Sequence, residues 1–161
     1  MKLAENFKIV PVLSDQDLTG AAVMPGDSIN MKNFHNCTFI VNFQALGGAA
    51  IYVKVYSGAT DAAVTSALTF KYAFGSAATG SATADVLAAT STSANLSVAH
   101  ATYDNYMLVI EVDASDMDIA NAEEWLTIQF EDTDTGATGN VSVVAILEPR
   151  YTSNLSATAL A

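Results

Sequence analysis

Two histidines, one cysteine and one arginine are the scarce reactive side chains of this 161-residue chain, and their spacing limits the chemistry open to it. His35 lies in Asn33-Phe34-His35-Asn36 and His100 in Ala99-His100-Ala101-Thr102, 65 residues further on. A lone loop histidine ordinarily serves as a hydrogen-bonding surface group, not as a general base. Cys37 has no partner for an intrachain disulfide and no companions for a thiolate metal cluster. At the head of an apolar run it reads as a small buried hydrophobe. The chain has no Gly-x-Ser-x-Gly elbow, no His-Glu-x-x-His pair and no phosphate-cradling glycine loop. An enzyme would have to rely on paired carboxylates, and nothing positions an acid and a base at usable separation. Neither catalysis nor a cofactor is expected.

Carboxylates cluster twice, in Asp113-Ala114-Ser115-Asp116-Met117-Asp118 and in Glu131-Asp132-Thr133-Asp134-Thr135-Gly136. Acids two or three residues apart can gather oxygen ligands around calcium, which makes Asp113, Asp116, Asp118, Asp132 and Asp134 the candidate ligands. Neither cluster keeps the EF-hand order. Counted from Asp116, Asn121 stands at the glycine position and Thr127 at the closing glutamate; counted from Asp132, the twelfth position is Val143. The expectation is solvated loop acids and no metal.

Charge is divided along the chain. Residues 1–71 balance Lys2, Lys8, Lys32, Lys54 and Lys71 against five acids, whereas residues 72–161 set Arg150 alone against twelve, which supplies the entire net charge of −11. Nucleic-acid binding needs Lys and Arg to replace the counterions on phosphate, so a direct DNA or RNA binder is excluded as an expectation. Arg150 is the only arginine and stands beside Tyr151, just after the last strong apolar run. Arg and Tyr are enriched in protein interfaces, one for its forked charge-assisted bonds and the other for rigid contact area. The candidate contact residues are Lys2, Phe7, Lys8, Phe34, Arg150 and Tyr151.

Charged residues make up only 14% of the chain, against about 25% in an ordinary domain. A surface of Ser, Thr, Asn and Ala costs little to desolvate and suits a protein packed against neighbours. The opening Met1-Lys2-Leu3-Ala4-Glu5-Asn6 lacks the apolar core of a secretory signal, and no stretch approaches a membrane span. Synthesis and folding in a cytoplasm, without a membrane partner, are expected.

The elements that would position these residues are short strands, since apolar residues recur every second position between Gly, Asn, Asp and Ser clusters. The clearest are 37–44, 50–56, 68–74, 106–112, 125–130 and 141–147, with weaker ones at 7–13, 29–31, 86–89 and 96–98. Pro11 lacks an amide hydrogen, which sends the first strand to a sheet edge. Leu46-Gly47-Gly48-Ala49 predicts a hairpin joining the strands on either side of it. Residues 113–124 allow one helical turn capped by Ser115 or Asp116. Gly75–Thr83 is a tract of small uncharged residues that reads as a mobile loop, or as one that orders on a partner. About eight to ten strands with scarcely any helix predict an all-β antiparallel sandwich, jelly-roll or Greek-key like. Its expected divisions are residues 1–13 as an arm or edge strand, 14–151 as the domain and 152–161 as a flexible tail.

Three segments resemble a family of small virion proteins of tailed bacteriophages: Met31-Lys32-Asn33-Phe34-His35-Asn36-Cys37-Thr38-Phe39-Ile40, Val109-Ile110-Glu111-Val112-Asp113-Ala114-Ser115-Asp116-Met117-Asp118 and Ile146-Leu147-Glu148-Pro149-Arg150-Tyr151. The resemblance implies a head-associated structural protein, a decoration or cement protein on the capsid exterior that binds the major capsid protein. It covers roughly residues 28 to 151, and the Ala/Ser/Thr-rich middle from Gly58 to Ala101 departs from it. Self-association as a trimer is expected, with docking strengthened by multivalency. The alternative is a carbohydrate- or receptor-binding module of a tail or adhesin, marked by exposed aromatics; Trp125, in an alternating strand, reads as core instead. A calcium-dependent hydrolase is a third reading, and it would need acids gathered around a cleft.

Overall fold

In a computed structural model, which describes residues 2–132 and 136–161, the strands form two antiparallel sheets packed face to face. The wide sheet runs, edge to edge, β1 (Lys8–Asp17), β12 (Thr138–Pro149), β4 (Phe34–Gly47), β10 (Met107–Asp113), β7 (Phe70–Phe74) and β8 (Ser91–Ser93). In the narrow sheet, β11 (Trp125–Glu131) pairs with β5 (Ile51–Gly58). Two short strands, β2 (Val23–Pro25) and β3 (Ile29–Asn30), share the outer flank of β11. Two more, β6 (Ser66–Ala67) and β9 (Leu96–Val98), share the outer flank of β5. Helix is confined to α1 (Leu3–Asn6), α2 (His100–Tyr103) and a few 3-10 turns. The fold is the all-β sandwich expected from the strand pattern, with β1 and its Pro11 at an edge of the wide sheet.

Alternation decides which side of each strand is dry. Phe39, Val41 and Phe43 of β4, with Leu108, Ile110 and Val112 of β10 and Val141, Val143, Ala145 and Leu147 of β12, form the inner face of the wide sheet. Val53 and Val55 of β5 and Leu126, Ile128 and Phe130 of β11 meet them. The Phe43 and Phe130 rings touch edge to face across the gap, with centroids 6.3 Å apart. Truncating a buried ring of this kind to Ala costs about 3–5 kcal/mol. A domain keeps a net stability of only about 5–15 kcal/mol, so losing either ring would remove a large share of it. Toward β7, Phe70, Tyr72, Phe74, Tyr103 and Tyr106 run in a series of ring contacts, with Phe74 and Tyr103 stacked at 3.8 Å.

The expected hairpin at Gly47-Gly48 is not formed. β4 and β5 lie in different sheets, so the two glycines carry the chain over the top of the sandwich instead of turning it back beside itself. Both strands bury one face, and that pattern is the same whether two strands lie side by side or face each other across a core. The glycine is still required, for another reason. Gly48 has φ +72°, and a Cβ there would fall 1.8 Å from the Gly136 carbonyl oxygen, to which Ala49 N also donates at 3.2 Å.

Two smaller expectations, a strand at 86–89 and one helical turn capped by Ser115 or Asp116, are also corrected. No strand forms at 86–89: Gly75 and Leu87 make a single bridge, and the edge strand is the later Ser91–Ser93. The helical segment between β10 and β11 is two 3-10 turns, Ala114–Asp116 and Ile119–Asn121, and the capping side chain is Asp118, not Ser115 or Asp116. The small-residue tract from Gly75 folds into turns, with Ser76 Oγ donating to the Thr83 carbonyl and Thr79 N to that of Asn105. Residues 152–161 lie against the body: Asn30 N donates to the Ala159 carbonyl at 2.8 Å, and Ala159 is buried.

On the outer face of the narrow sheet, Lys54 Nζ reaches Glu131 Oε2 at 2.5 Å between β5 and β11. The hydrogen bond to Glu131 raises the Lys54 ammonium above the ordinary lysine value.

Two outcomes follow from these contacts. Gly48→Ala should lower the unfolding free energy by about 2 kcal/mol or more in urea titration, since it combines a positive φ with a backbone clash; a neutral result would contradict the crossover geometry. Lys54→Met should cost up to about 1 kcal/mol at pH 7. Because the folded pKa is the higher one, that contribution is complete below the ordinary value of 10.5 and disappears as pH rises through the raised value. Denaturation of both proteins at neutral and strongly alkaline pH measures it, and a gap that stayed constant would refute the assignment.

Candidate interaction surfaces

Antiparallel pairing brings the chain ends together at one pole of the sandwich. Lys8 at the start of β1 is opposite Leu147 of β12, and Pro149 at the end of β12 is opposite Phe34 at the start of β4. Beyond Pro149 the chain turns along this pole: Arg150 N donates to the Asn33 carbonyl at 2.9 Å and Arg150 Nε to that of Phe34 at 3.1 Å. Asn154 Nδ2 also reaches the Asn33 carbonyl, at 3.0 Å, and Lys8 Nζ reaches that of Leu155 at 3.2 Å. Helix α1 packs on the 3-10 turn Thr152–Ser156, with Lys2 paired to Glu5 at 2.8 Å and Phe7 half-buried behind it.

Five of the six contact candidates therefore share one accessible pole. Tyr151 is 72% exposed. Phe34 differs: at 1% exposure its ring belongs to the core, supporting the Arg150 turn from beneath. Lys32, paired with Glu124 at 3.9 Å, lies beside Arg150, so Lys2, Lys8, Lys32 and Arg150 place four of the six basic side chains here. Multiple donors on a fixed turn, with an aromatic at the tip, can dock on a protein surface rich in carbonyls and carboxylates.

The acidic residues do other work. Asp118 Oδ1 and Oδ2 accept from Asn121 N at 3.2 Å and Asn121 Nδ2 at 2.7 Å, while Asp113 and Asp116 are exposed. Asp132 is buried and accepts from Ala137 N at 2.6 Å. Asp134 lies outside the described residues. Among the described residues no three His, Cys, Asp or Glu side chains are gathered to hold a metal ion. His35 is exposed on β4 and His100 begins α2. Cys37 is fully buried, and loss of hydration pushes its thiol pKa well up, which keeps the unreactive thiol form.

Two features were not singled out from the sequence. Glu123 is 5% exposed and its carboxylate accepts from Ser57 Oγ and Ser66 Oγ, while Ser28 and Thr127 hydroxyls join at 2.7 Å. These bonds tie the segment before β11 to β5 and β6. Nothing in the local pattern marks Glu123 out from the other loop acids.

The second is the outer face of the wide sheet. One row crosses it as Pro11, Val144, Ile40, Val109 and Ala73, each the ladder partner of the next. The row below runs Ile9, Ile146, Thr38, Glu111 and Lys71. Ile9 is 44% and Val144 38% exposed, while Ile40, Val109 and Ile146 are half-buried in this face. Leu87 extends the first row, lining a hollow with Ala73 and Val109. A readable signal existed: Ile9–Leu13, Phe39–Val41, Met107–Ile110 and Val143–Leu147 are unbroken apolar runs, as in strands covered on both faces. The narrow sheet, in Ile51–Tyr56 and Trp125–Phe130, alternates instead.

No family model matches the sequence, and no curated protein matches it. Among solved structures the chain is similar to the crystal structure of SPBc2 prophage-derived protein YomS, at TM-score 0.47 and 12% identity over 88% of this chain and 92% of that one. It is also compared with the structure of infectious bursal disease virus Gt strain, at TM-score 0.23 and 12% identity over 94% of this chain and 43% of that one. Likenesses this distant carry no argument about function.

Proposed function

We propose that this chain is a bacteriophage capsid decoration protein, which binds the major capsid protein on the outside of the shell and braces it without chemistry. The observation that carries this reading is where the three resembling segments lie. Far apart in sequence, they are neighbours in the wide sheet: Ile40, Thr38 and Asn36 of β4 pair with Val109, Glu111 and Asp113 of β10, while Thr38 and Asn36 pair with Ile146 and Glu148 of β12. Asn36 Nδ2 also bonds the Glu148 carboxylate, and the last segment ends in the Arg150-Tyr151 turn. Chance matches along a chain have no reason to collect on three adjacent strands.

Charge supports an exterior position. A protein of net charge −11 inside the shell would face packed anionic DNA, whereas outside it adds colloidal stability. The docking pole is the one bearing Arg150, Tyr151, Lys8 and Lys2. Weak contacts there become effective when several copies bind, because later contacts form at high local concentration.

A second reading, glycan or receptor recognition, draws on a specific observation that corrects one expectation: Trp125, read as core, lies instead with Tyr52 and Tyr56 half-buried on the outer face of the narrow sheet, because the inner side of β11 is taken by Leu126, Ile128 and Phe130, and this face is able to stack a sugar. Titrating the purified protein onto expanded capsids that lack it, and onto a glycan panel, separates the two. Saturable capsid binding is expected, weakened about tenfold or more by Arg150→Ala with Tyr151→Ala, while the melting temperature falls by no more than about 4 °C, as loss of the Arg150 Nε bond to the Phe34 carbonyl requires. Retention on glycans without capsid binding would decide for the second reading.

A further inference from the structure

We infer that the hollow beside Arg150 receives one apolar side chain of a partner protein, and that this side chain has a carboxylate next to it in the partner. The inference rests on the reading of this pole as the docking surface and names what the pole takes hold of. The hollow has a volume of about 350 Å³. Its floor is Met31, Ala114 and Met117, all buried. One wall is the pair of 3-10 turns between β10 and β11, and the other is the turn after Pro149 that carries Arg150.

Exposure singles out this place. Ile119, on the rim, is 69% exposed and Tyr151, next to Arg150, is 72% exposed, while no other large apolar side chain among the described residues exceeds 54%. Exposed apolar residues are ordinary when scattered, but here the two extremes stand at one pole beside an apolar hollow. Ile119 is held on a fixed support. Its N–H donates to the Met117 carbonyl at 2.8 Å, and Asp118 caps the turn by accepting from Asn121 N and Nδ2. A fixed rim loses little entropy on docking, and the thioethers of Met31 and Met117 adapt to the incoming chain.

Charge decides what accompanies that side chain. Four charged residues line the hollow, and three are already matched: Glu123 accepts from Ser57 Oγ and Ser66 Oγ, and Glu124 lies 3.9 Å from Lys32. Arg150 is not matched. Its Nε donates to the Phe34 carbonyl, but its Nη groups have no acceptor and no carboxylate among the described residues, in a chain with 17 acids. An apolar group seated alone would strip water from the guanidinium and leave those donors unsatisfied. A basic group would be repelled by Lys32 and Arg150. A carboxylate beside the apolar side chain takes up the guanidinium fork in charge-assisted bonds.

The free protein tests this with N-acetyl-leucine as the probe, followed by NMR through the methyl groups of Met31, Met117 and Ile119 at about 0.15 M salt, which screens the molecule's net repulsion. Saturating shifts of these methyls are expected at roughly millimolar concentration. The uncharged N-acetyl-leucinamide should bind about fivefold or more weaker, and Arg150→Met should abolish that preference. On shells, Ile119→Ser should weaken binding about threefold or more, with a melting temperature within about 2 °C of wild type. No saturation, equal affinity for acid and amide, or the same shifts on concentrating the protein alone, which would give the hollow to a second copy, would each overturn the inference. Shell binding that Ile119→Ser leaves unchanged would also overturn it, and would leave the decoration reading standing. Probe binding by a protein that ignores shells would refute decoration and keep the hollow as a site for another partner.

Discussion

The inner faces of the two sheets meet at Phe43 and Phe130, and the remaining structure is arranged so that this contact stays dry. Neither sheet could bury its apolar side alone. The narrow sheet is continuous only through β5 and β11, its flanks being short pieces, so β4, β12 and β10 of the wide sheet supply the surface against which it is held. Burial of a ring or a branched aliphatic chain contributes roughly 1.5–3 kcal/mol, and with more than a dozen such residues on the central strands the burial greatly exceeds any surface ion pair. Lys54 with Glu131 and Lys32 with Glu124 refine the outside of a body already determined from within.

That constraint also fixes where the functional residues can be. With each strand's inner side committed to the core, only outward positions, loops and the two poles remain for recognition. Antiparallel ladders bring the start of β1, the start of β4 and the end of β12 to a single pole, which collects Lys8, Lys32, Arg150 and Tyr151 without any of them being near another in sequence except the last two. The turn after Pro149 is held by bonds to the Asn33 and Phe34 carbonyls, so Arg150 is displayed on a fixed support and not on a loose end.

The two sheets differ in what they ask of their surroundings. The outer face of the narrow sheet is closed by its own polar and aromatic side chains, with Thr127 and Gln129 buried beneath them. The wide sheet leaves Ile9 and Val144 open and has a neutral middle on a molecule of charge −11.

Period-two patterning in Ile51–Tyr56 and Trp125–Phe130 was sufficient to read the strands, their dry sides and the sandwich class, because a strand's side chains alternate whatever it pairs with. The scarcity of basic residues made Arg150, with Tyr151 beside it, a candidate contact residue from the sequence. Pairing partners were not legible. Gly47-Gly48 had the signature of a hairpin, yet only the meeting of Gly48 with the Gly136 carbonyl, 88 residues later, shows that it bridges the sheets. The same holds for Val143–Leu147 and Met107–Ile110: composition says that both of their faces favour burial, and sheet order alone says that one face looks outward. Local sequence dictates local geometry through φ, ψ and alternation, whereas neighbours distant along the chain are chosen by the packing of the whole core.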